Sequence, residues 1–394
     1  MRSSTPHSLY IGLMSGTSMD GVDAVLVDLS AGFVPAAEHH VPYPPELKRI
    51  LLGLNTPGAN ELHVSALAAN EVARLYAQAV NALLVHQCLQ ARDIVAVGAH
   101  GQTVRHQPGP AGVVGYTTQL LNAALLCELT GIDVVYDFRA RDVAAQGQGA
   151  PLVPAFHDAL FAQHEASVAV LNWGGISNLS WLPPLSLGSE RVVLGFDCGP
   201  ANVLLDAWCE EHTGLPFDRD GLWAAQGQIH PGLLETLLAE PYFQRSPPKS
   251  TGRDLFHRAW LHAQLEHCFG AHPRTPGPSA PDVQATLMEL TARTSLDAVR
   301  SQSHSNVAAK NLIVCGGGAN NTALMKRLSA LCEADPLLAH TQVSTSAQWG
   351  LGVHVIEALA FAWLAYRRVR GECANAPSVT GARGYRVLGA WVKA

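Results

Sequence analysis

Apolar and small polar positions alternate in blocks from the start of the chain. Residues 9–13 (L-Y-I-G-L) are apolar, and residues 22–29 (V-D-A-V-L-V-D-L) alternate with the period of two of a half-buried strand. Between them stand Ser15, Gly16, Thr17, Ser18, Met19, Asp20 and Gly21. The pattern predicts strand, turn, strand. A hairpin turn that tolerates unusual backbone angles accounts for it, and so does a phosphate cradle, because Gly16 has no side chain to keep backbone N–H groups from an anion.

Helical spacing predicts a helix over 61–89, then a strand over 94–99 running into H-G-Q-T at 100–103. A second helix is expected over 119–129, before a strand over 132–138. Strands alternating with helices argue for a layered α/β architecture. The Gly-rich A-A-Q-G-Q-G-A-P at 144–151 then breaks the pattern and reads as a hinge or an active-site loop.

After that break the grammar starts over. Residues 167–182 (S-V-A-V-L-N-W-G-G-I-S-N-L-S-W-L) again give apolar run, small-residue turn, apolar run. This predicts an internal duplication, two α/β halves that each open with a hairpin. A Pro-rich surface loop is expected over 273–281, a helix over 282–302, a strand over 311–315 and a helix from 322. The last long helix, 353–369, is apolar on nearly all sides and so must pack between other elements.

Four turns share one property: S-G-T-S-M-D-G, N-W-G-G-I-S-N, G-F-D-C-G-P-A-N and G-G-G-A-N-N each follow an apolar strand-like run. Ligands of open α/β sheets gather at the carboxyl ends of strands, where Gly-rich turns expose N–H groups. Four such turns, two of them opening the two halves, favour a nucleotide in an interdomain cleft. Neither a G-x-x-x-x-G-K-[ST] loop nor a first-strand G-x-G-x-x-G is present.

Composition narrows the class further. The 394 residues are 48% hydrophobic and 15% charged with net charge −6, which fits a folded globular protein and does not favour nucleic acid or an anionic membrane as partner. Only six apolar residues precede Ser15, too few for a signal-peptide core, so a cytoplasmic protein is expected. The eight cysteines include no C-x-x-C pair and are expected as reduced, buried thiols. His257, His262 and His267 recur every five residues, about 140° apart on a helix, so no metal site is expected from them.

The runs G-L-M-S-G-T-S-M-D-G-V-D, H-G-Q-T-V-R-H, D-F-R-A-R-D-V-A-A, G-Q-G-A-P-L-V-P, G-F-D-C-G-P-A-N, P-P-K-S-T-G-R-D, D-V-Q-A-T-L, C-G-G-G-A-N-N and V-T-G-A cover nearly the whole chain. In this order they resemble the anhydro-N-acetylmuramic acid kinase family, within the superfamily of sugar kinases, actin and heat-shock chaperone ATPases. The resemblance implies a two-domain, actin-like α/β fold of duplicated ribonuclease H-like halves, with an interdomain active-site cleft. The expected domains are 1–140 and 141–394, the final helix being free to pack back on the first. It also implies the reaction: ATP and water convert 1,6-anhydro-N-acetylmuramic acid to N-acetylmuramic acid 6-phosphate and ADP, with Mg²⁺ beside the phosphates, in peptidoglycan recycling. A homodimer is left open.

By the G-F-D-x-G-P motif the resemblance makes Asp197 the base that activates water. The sequence supports this on its own terms, because Asp197 ends an apolar strand and precedes Gly199-Pro200; a carboxylate capping the helix that starts near Asn202 is the alternative. The opening motif implies that Gly16, Thr17, Ser18, Met19, Asp20, Gly21, Val22 and Asp23 line the ATP phosphates, Asp20 reaching Mg²⁺ through water or merely stabilising the turn. Asn172, Gly174 and Gly175 would form the opposing phosphate loop, and Gly316, Gly317 and Gly318 the adenosine contact. For the sugar, His100, Thr103, Arg139 and Glu357 are favoured. Arg139 suits the lactyl carboxylate through a two-pronged guanidinium grip, or else pairs with Asp137 or Asp142. Glu357 needs a polar partner within its apolar helix, and His100 serves equally well as a satisfied core histidine.

The chain departs from the family pattern at Gln146-Gly147, where two glycines are common, at Cys198 for Thr, at Asn320 for His, and over 345–354. No proposed catalytic group is lost. Loop closure and sugar contacts are the properties these departures touch.

Overall fold

The computed structural model describes residues 8–16, 19–109, 113–270, 277–303 and 308–394. Two compact units divide it: Met1–Leu160 together with Gly350–Ala394, and Phe161–Trp349.

In the first unit, β1 (Leu9–Met14) pairs antiparallel with β2 (Gly21–Asp28), and β2 pairs antiparallel with β3 (Pro35–Pro42). On its other side β1 runs parallel to β4 (Ala96–Ala99), which is parallel to β7 (Val134–Tyr136). Helices α1 (Pro45–Gly53) and α2 (Glu61–His86) link β3 to β4. A separate hairpin of β5 (Gln102–Gln107) and β6 (Tyr116–Leu120) precedes α3 (Ala123–Thr130). The helix expected from 119 therefore starts later: Gln119 and Leu120 pair with Thr103 and Gln102, and the Asn122 side chain caps α3 by accepting from Leu125 N–H at 3.0 Å. Each hairpin strand carries a single buried apolar residue, Val104 and Leu120, among polar ones, too few to give a periodicity reading. β3 was equally illegible because it is a largely exposed edge strand bounded by prolines.

Helices α4 (Ala140–Ala144) and α5 (Val153–Phe161) follow β7. The second unit then repeats the first sheet. β8 (Ser167–Trp173), β9 (Ile176–Leu182) and β10 (Leu194–Pro200) are successively antiparallel, while β11 (Ala309–Cys315) and β12 (Gln342–Thr345) run parallel beside β8. The order β10-β9-β8-β11-β12 matches β3-β2-β1-β4-β7 strand for strand and direction for direction. The duplication read from the two hairpin patterns is thus a duplication of topology. Between β10 and β11 lie α6 (Asn202–Thr213), α7 (Pro231–Leu238), α8 (Arg258–Phe269) and α9 (Ala280–Gln302). A Ser279–Asp282 capping box with Pro281 in the first turn starts α9. α10 (Thr322–Ala334) links β11 to β12.

The chain finally rejoins the first unit through α11 (Ile356–Val369), α12 (Pro377–Thr380) and β13 (Ala390–Val392), the last pairing with β7. α11 packs on β1, β4 and β2. Gly12 of β1 and Gly98 of β4 are register partners, and a Cβ added there would lie 1.8 Å from Ala358 O and 2.0 Å from Phe361 O respectively. Two side-chain-free positions thus let the helix touch the sheet backbone.

A division after residue 140 does not describe the first unit, because 141–160 stay with it. Asp142, fully buried on α4, accepts from Asn375 Nδ2 at 2.9 Å and from Thr380 Oγ1 at 2.9 Å, tying α4 to the C-terminal segment. The Gly-rich 144–151 segment is pinned as well: Gln148 N–H donates to Thr380 O at 2.7 Å and Gly149 N–H to Asp142 Oδ2 at 2.8 Å. Gln146 takes φ 66°, a conformation glycine adopts without strain. Five cysteines are buried as expected, but Cys88 and Cys373 are exposed, since both lie in segments just beyond helix C-termini. Of the Pro-rich loop, residues 273–276 lie outside the described residues. Among the described residues no helix is long and apolar enough to cross a membrane.

Candidate active site

The β1–β2 connection is built around buried Ser15. Its hydroxyl donates to Gly101 O at 3.1 Å and therefore accepts from Tyr76 OH at 2.8 Å. Gly16 O accepts from Met19 N–H at 3.2 Å and from Gln102 Nε2 at 3.1 Å, and Met19 takes φ 52°. Thr17 and Ser18 lie outside the described residues. Asp20 is exposed on this turn, and its carbonyl accepts from Tyr43 N–H at 3.0 Å. Gly21 begins β2, where a Cβ would stand 2.4 Å from Val41 O. Val22 points into the core, and the Asp23 carboxylate pairs with His40 Nδ1 at 2.8 Å across to β3. Of the expected phosphate-lining residues, Gly16, Met19, Asp20 and Gly21 stay at the turn, while the side chains of Val22 and Asp23 turn elsewhere.

His100 follows β4 beside that turn. Arg139 donates to its Nε2 from Nε at 3.1 Å and from Nη2 at 3.0 Å, so Nε2 must carry the lone pair. The ring proton then sits on Nδ1 and is donated to Ser15 O at 3.3 Å. Burial, with the Arg139 charge added, holds the His100 pKa well below the usual range and keeps the ring neutral. Arg139 also donates from Nη1 to Gly149 O at 2.9 Å. Burial lowers its pKa to about 10, against the pull of the Glu357 and Asp142 carboxylates. Arg139, His100 and Glu357, drawn from β7's trailing turn, the end of β4 and α11, are thereby brought together. Of the two carboxylates considered as structural partners of Arg139, Asp142 acts on it by charge while its own oxygens serve Gly149, Asn375 and Thr380. Thr103 stands in β5 and accepts from Gln119 Nε2 at 3.3 Å.

In the second unit, the β8–β9 turn is Gly174-Gly175. Gly174 O accepts from Asn202 N–H at 3.1 Å and from Asn202 Nδ2 at 2.8 Å, and Gly175 O accepts from Ala201 and Val203 N–H at 3.0 Å each. The carbonyls face the α6 N-terminus, so planar trans geometry directs the Gly175 N–H away from it. A Cβ at Gly174 or Gly175 would meet nothing closer than 3.7 Å. Packing within the fold does not demand glycine here, and the space beside the turn is open. Gly316 and Gly318 differ, since a Cβ there would fall 2.3 Å from Asn172 Oδ1 and 2.6 Å from Trp173 Cβ. They bring the G-G-G-A-N-N turn against the end of β8, leaving Gly317 exposed.

Asp197 sits on β10 at a bulge, the register against β9 shifting between Asp197 and Gly199. Its Oδ2 accepts from Thr251 N–H at 3.0 Å. Burial pushes its pKa up to about 6, opposed by the Thr251 hydrogen bond and the Lys249 charge. The result is a carboxylate poised to gain or lose a proton near neutrality, as a general base requires. Helix α6 begins at Asn202 with no side-chain cap bond, so the cap alternative for Asp197 has no support in the geometry.

Sequence reasoning assigned no role to Gln102, Asn202, Lys249, Thr251 or Asp206. Asp206 on α6 has its pKa raised to about 7 by burial, with Arg253 acting to lower it. The motif P-P-K-S-T-G-R-D held the available signal for Lys249, Thr251 and Arg253: a polar run of turn formers with two cations.

A family model described as Anhydro-N-acetylmuramic acid kinase matches residues 8–394. Relatives named anhydro-N-acetylmuramic acid kinase include those of Variovorax paradoxus (strain S110), 56% identical over 97% of this chain and 98% of its own, and Cupriavidus pinatubonensis, 53% identical over 97% of each. That of Pseudomonas fluorescens (strain Pf0-1) is 49% identical over 97% of this chain and 99% of its own. Among solved structures, a ROK family glucokinase from Streptomyces griseus in complex with glucose and AMPPNP is similar with a TM-score of 0.42 at 15% identity, covering 91% of this chain and 99% of that one.

Proposed function

The chain belongs to the anhydro-N-acetylmuramic acid kinase family, and on that premise we propose that it uses ATP and water to convert 1,6-anhydro-N-acetylmuramic acid into N-acetylmuramic acid 6-phosphate and ADP, in peptidoglycan recycling. The observation that carries this reading is Asp197, a carboxylate with pKa about 6 fixed by the Thr251 N–H. Asp197 takes one proton from water as its oxygen bonds to the anomeric carbon. The bond from that carbon to the bridging 6-oxygen breaks, and the freed oxygen accepts the γ-phosphoryl group as ADP leaves. The water's second proton stays on the anomeric hydroxyl.

In this reading the Gly16–Gly21 turn and the Gly174-Gly175 turn offer backbone N–H groups to phosphate, and the G-G-G-A-N-N turn offers its bare backbone to adenosine. Asp20, an exposed carboxylate on its turn, suits Mg²⁺ held through water, the ion supplying neutralisation of phosphate charge. Arg139 commits Nε and one Nη2 N–H to His100 and one Nη1 N–H to Gly149 O, and its remaining Nη N–H groups are the ones assigned to the lactyl carboxylate. His100 thus orients Arg139, while Glu357 and Thr103 offer oxygens to sugar hydroxyls. Consumption of ATP makes the cytoplasm the compartment we propose.

The test is turnover in oxygen-18 water with early quenching. Label is expected on the anomeric hydroxyl, and label in the phosphate would mean that water attacks ATP instead. The ascending limb of kcat/KM against pH should have an apparent pKa near 6, because the base works only when ionised. Arg139→Lys should weaken the anhydro sugar by on the order of 1–3 kcal/mol and leave an analogue lacking the lactyl acid much less affected. Equal losses for the two sugars would reassign Arg139 to a purely structural role.

A further inference from the structure

Asp197 is held by groups from outside its own sheet. Where the bulge interrupts pairing with β9, the segment 242–251 takes up the base from three directions. Asp197 N–H donates to Lys249 O at 3.2 Å, Tyr242 OH donates to Asp197 O at 2.8 Å, and Thr251 N–H donates to the carboxylate at 3.0 Å. A main chain gripped on both its N–H and its C=O leaves the carboxylate little freedom beyond its own rotamer.

Lys249 is itself clamped. Its ammonium lies 5.0 Å from the Tyr242 ring centroid and 5.9 Å from that of Phe196, and donates to Phe243 O at 3.4 Å. With Phe196 and Cys198, the strand neighbours of Asp197, it lines a cavity of about 620 Å³ from which Asp197 itself is absent. The ammonium therefore reaches the base through the strand and not through the face that carries the carboxylate. Half-buried, its charge is poorly screened. The titratable and charged groups within electrostatic reach of Asp197 are this ammonium, the Tyr242 phenol and the Cys198 thiol, and Arg245 acts in turn on Lys249. Burial pushes the thiol up to about 12 and the phenol higher still, so both are neutral.

We propose that Lys249 and Tyr242 are positioning residues for Asp197: Tyr242 fixes the main chain from which the carboxylate projects, and Lys249 supplies the charge that favours its proton-accepting form. The assignment of Asp197 as the base rests on the function proposed above, but the effect of Lys249 on its titration does not. Two measurements separate them. The first is a carbon-13 titration of labelled aspartate carboxyls, with Asp197 assigned by difference from Asp197→Asn. Its midpoint should rise by about half to one pH unit in Lys249→Met and return towards the parent value in Lys249→Arg.

The second is the pH profile of turnover. The ascending limb should move with the titration in Lys249→Met, at unchanged KM for ATP and sugar. Tyr242→Phe should lower the plateau about fivefold to tenfold, the loss of one hydrogen bond, without moving the limb. An Asp197 midpoint identical in parent and Lys249→Met overturns the proposal, as does a loss confined to KM, which would make Lys249 a substrate ligand. A midpoint that moves in protein without sugar-dependent turnover upholds the electrostatic role and overturns the proposed reaction.

Discussion

Asp197→Asn is expected to lower turnover at least about a thousandfold while leaving the fold and ATP affinity nearly intact. A general base contributes typically about 10²–10⁴, and this one must also orient the attacking water against an anomeric carbon held in a bridged ring. Asn is nearly isosteric and can still accept the Thr251 N–H, but it cannot take a proton. The same substitution should raise stability at alkaline pH. Burial raises the Asp197 pKa from 3.8 to about 6 in the folded chain, so the native state holds this proton more tightly than the unfolded state. Stability from that proton is fully present below about pH 4 and is lost as pH rises through about 6. Removing the ionisable group should therefore gain on the order of 1–3 kcal/mol above about pH 7 and nothing below about pH 4. Melting temperature at both pH values, nucleotide affinity and single-turnover rate on one preparation decide the matter. Turnover within tenfold of the parent would remove Asp197 as the base.

Gly98→Ala should be among the most destabilising single-methyl changes in the first unit, costing about 3 kcal/mol or more. The added Cβ would stand 2.0 Å from Phe361 O and 3.0 Å from Ala365 Cβ. Backbone cannot rotate away as a side chain can, so either α11 lifts from β1 and β4 or the unit loosens. Lifting α11 also disturbs chemistry, because it carries Glu357 towards Arg139, and its Phe361 ring lies 4.7 Å from the His100 ring. Sugar affinity should fall together with thermal stability. Gly53→Ala is the control: no atom lies within 4 Å of its added methyl at the end of α1, and its stability should stay within about 1 kcal/mol of the parent. A denaturant midpoint for Gly98→Ala as little shifted as the control would refute the close-contact account.

Local chemistry wrote much of the fold into the sequence. The two hairpins opening each half were legible because strand periodicity and small-residue turns depend on near neighbours, and β1–β2 and β8–β9 stand where the pattern put them. α9 was nearly correct from its capping signals and apolar spacing, and α10 starts at Thr322 as read. β3, largely exposed, and the β5–β6 hairpin, whose buried face pairs Val104 with the polar Gln102, carried no periodic apolar signal. Gln146 could be marked from sequence as standing where two glycines are common, but only the backbone showed it in a left-handed conformation.

The candidate site divides in the same way. Asp197 was singled out by its match to the G-F-D-x-G-P motif, supported by its place at the end of an apolar strand before Gly199-Pro200, and the paired glycines by their interruption of apolar runs. The partners that give these residues their properties were not legible. Thr251 stands 54 positions from Asp197, His100 39 positions from Arg139, and Thr380 238 positions from Asp142. Sequence by itself determined the elements, their duplication and the residue types able to do the chemistry, since periodicity, turn propensity and functional groups belong to short stretches of chain. Tertiary structure alone decided that α11 lies on Gly12 and Gly98, that Arg139 is braced by a neutral His100, and that Asp197 titrates near 6. These depend on burial and on contacts between distant segments, which exist only once the chain has packed.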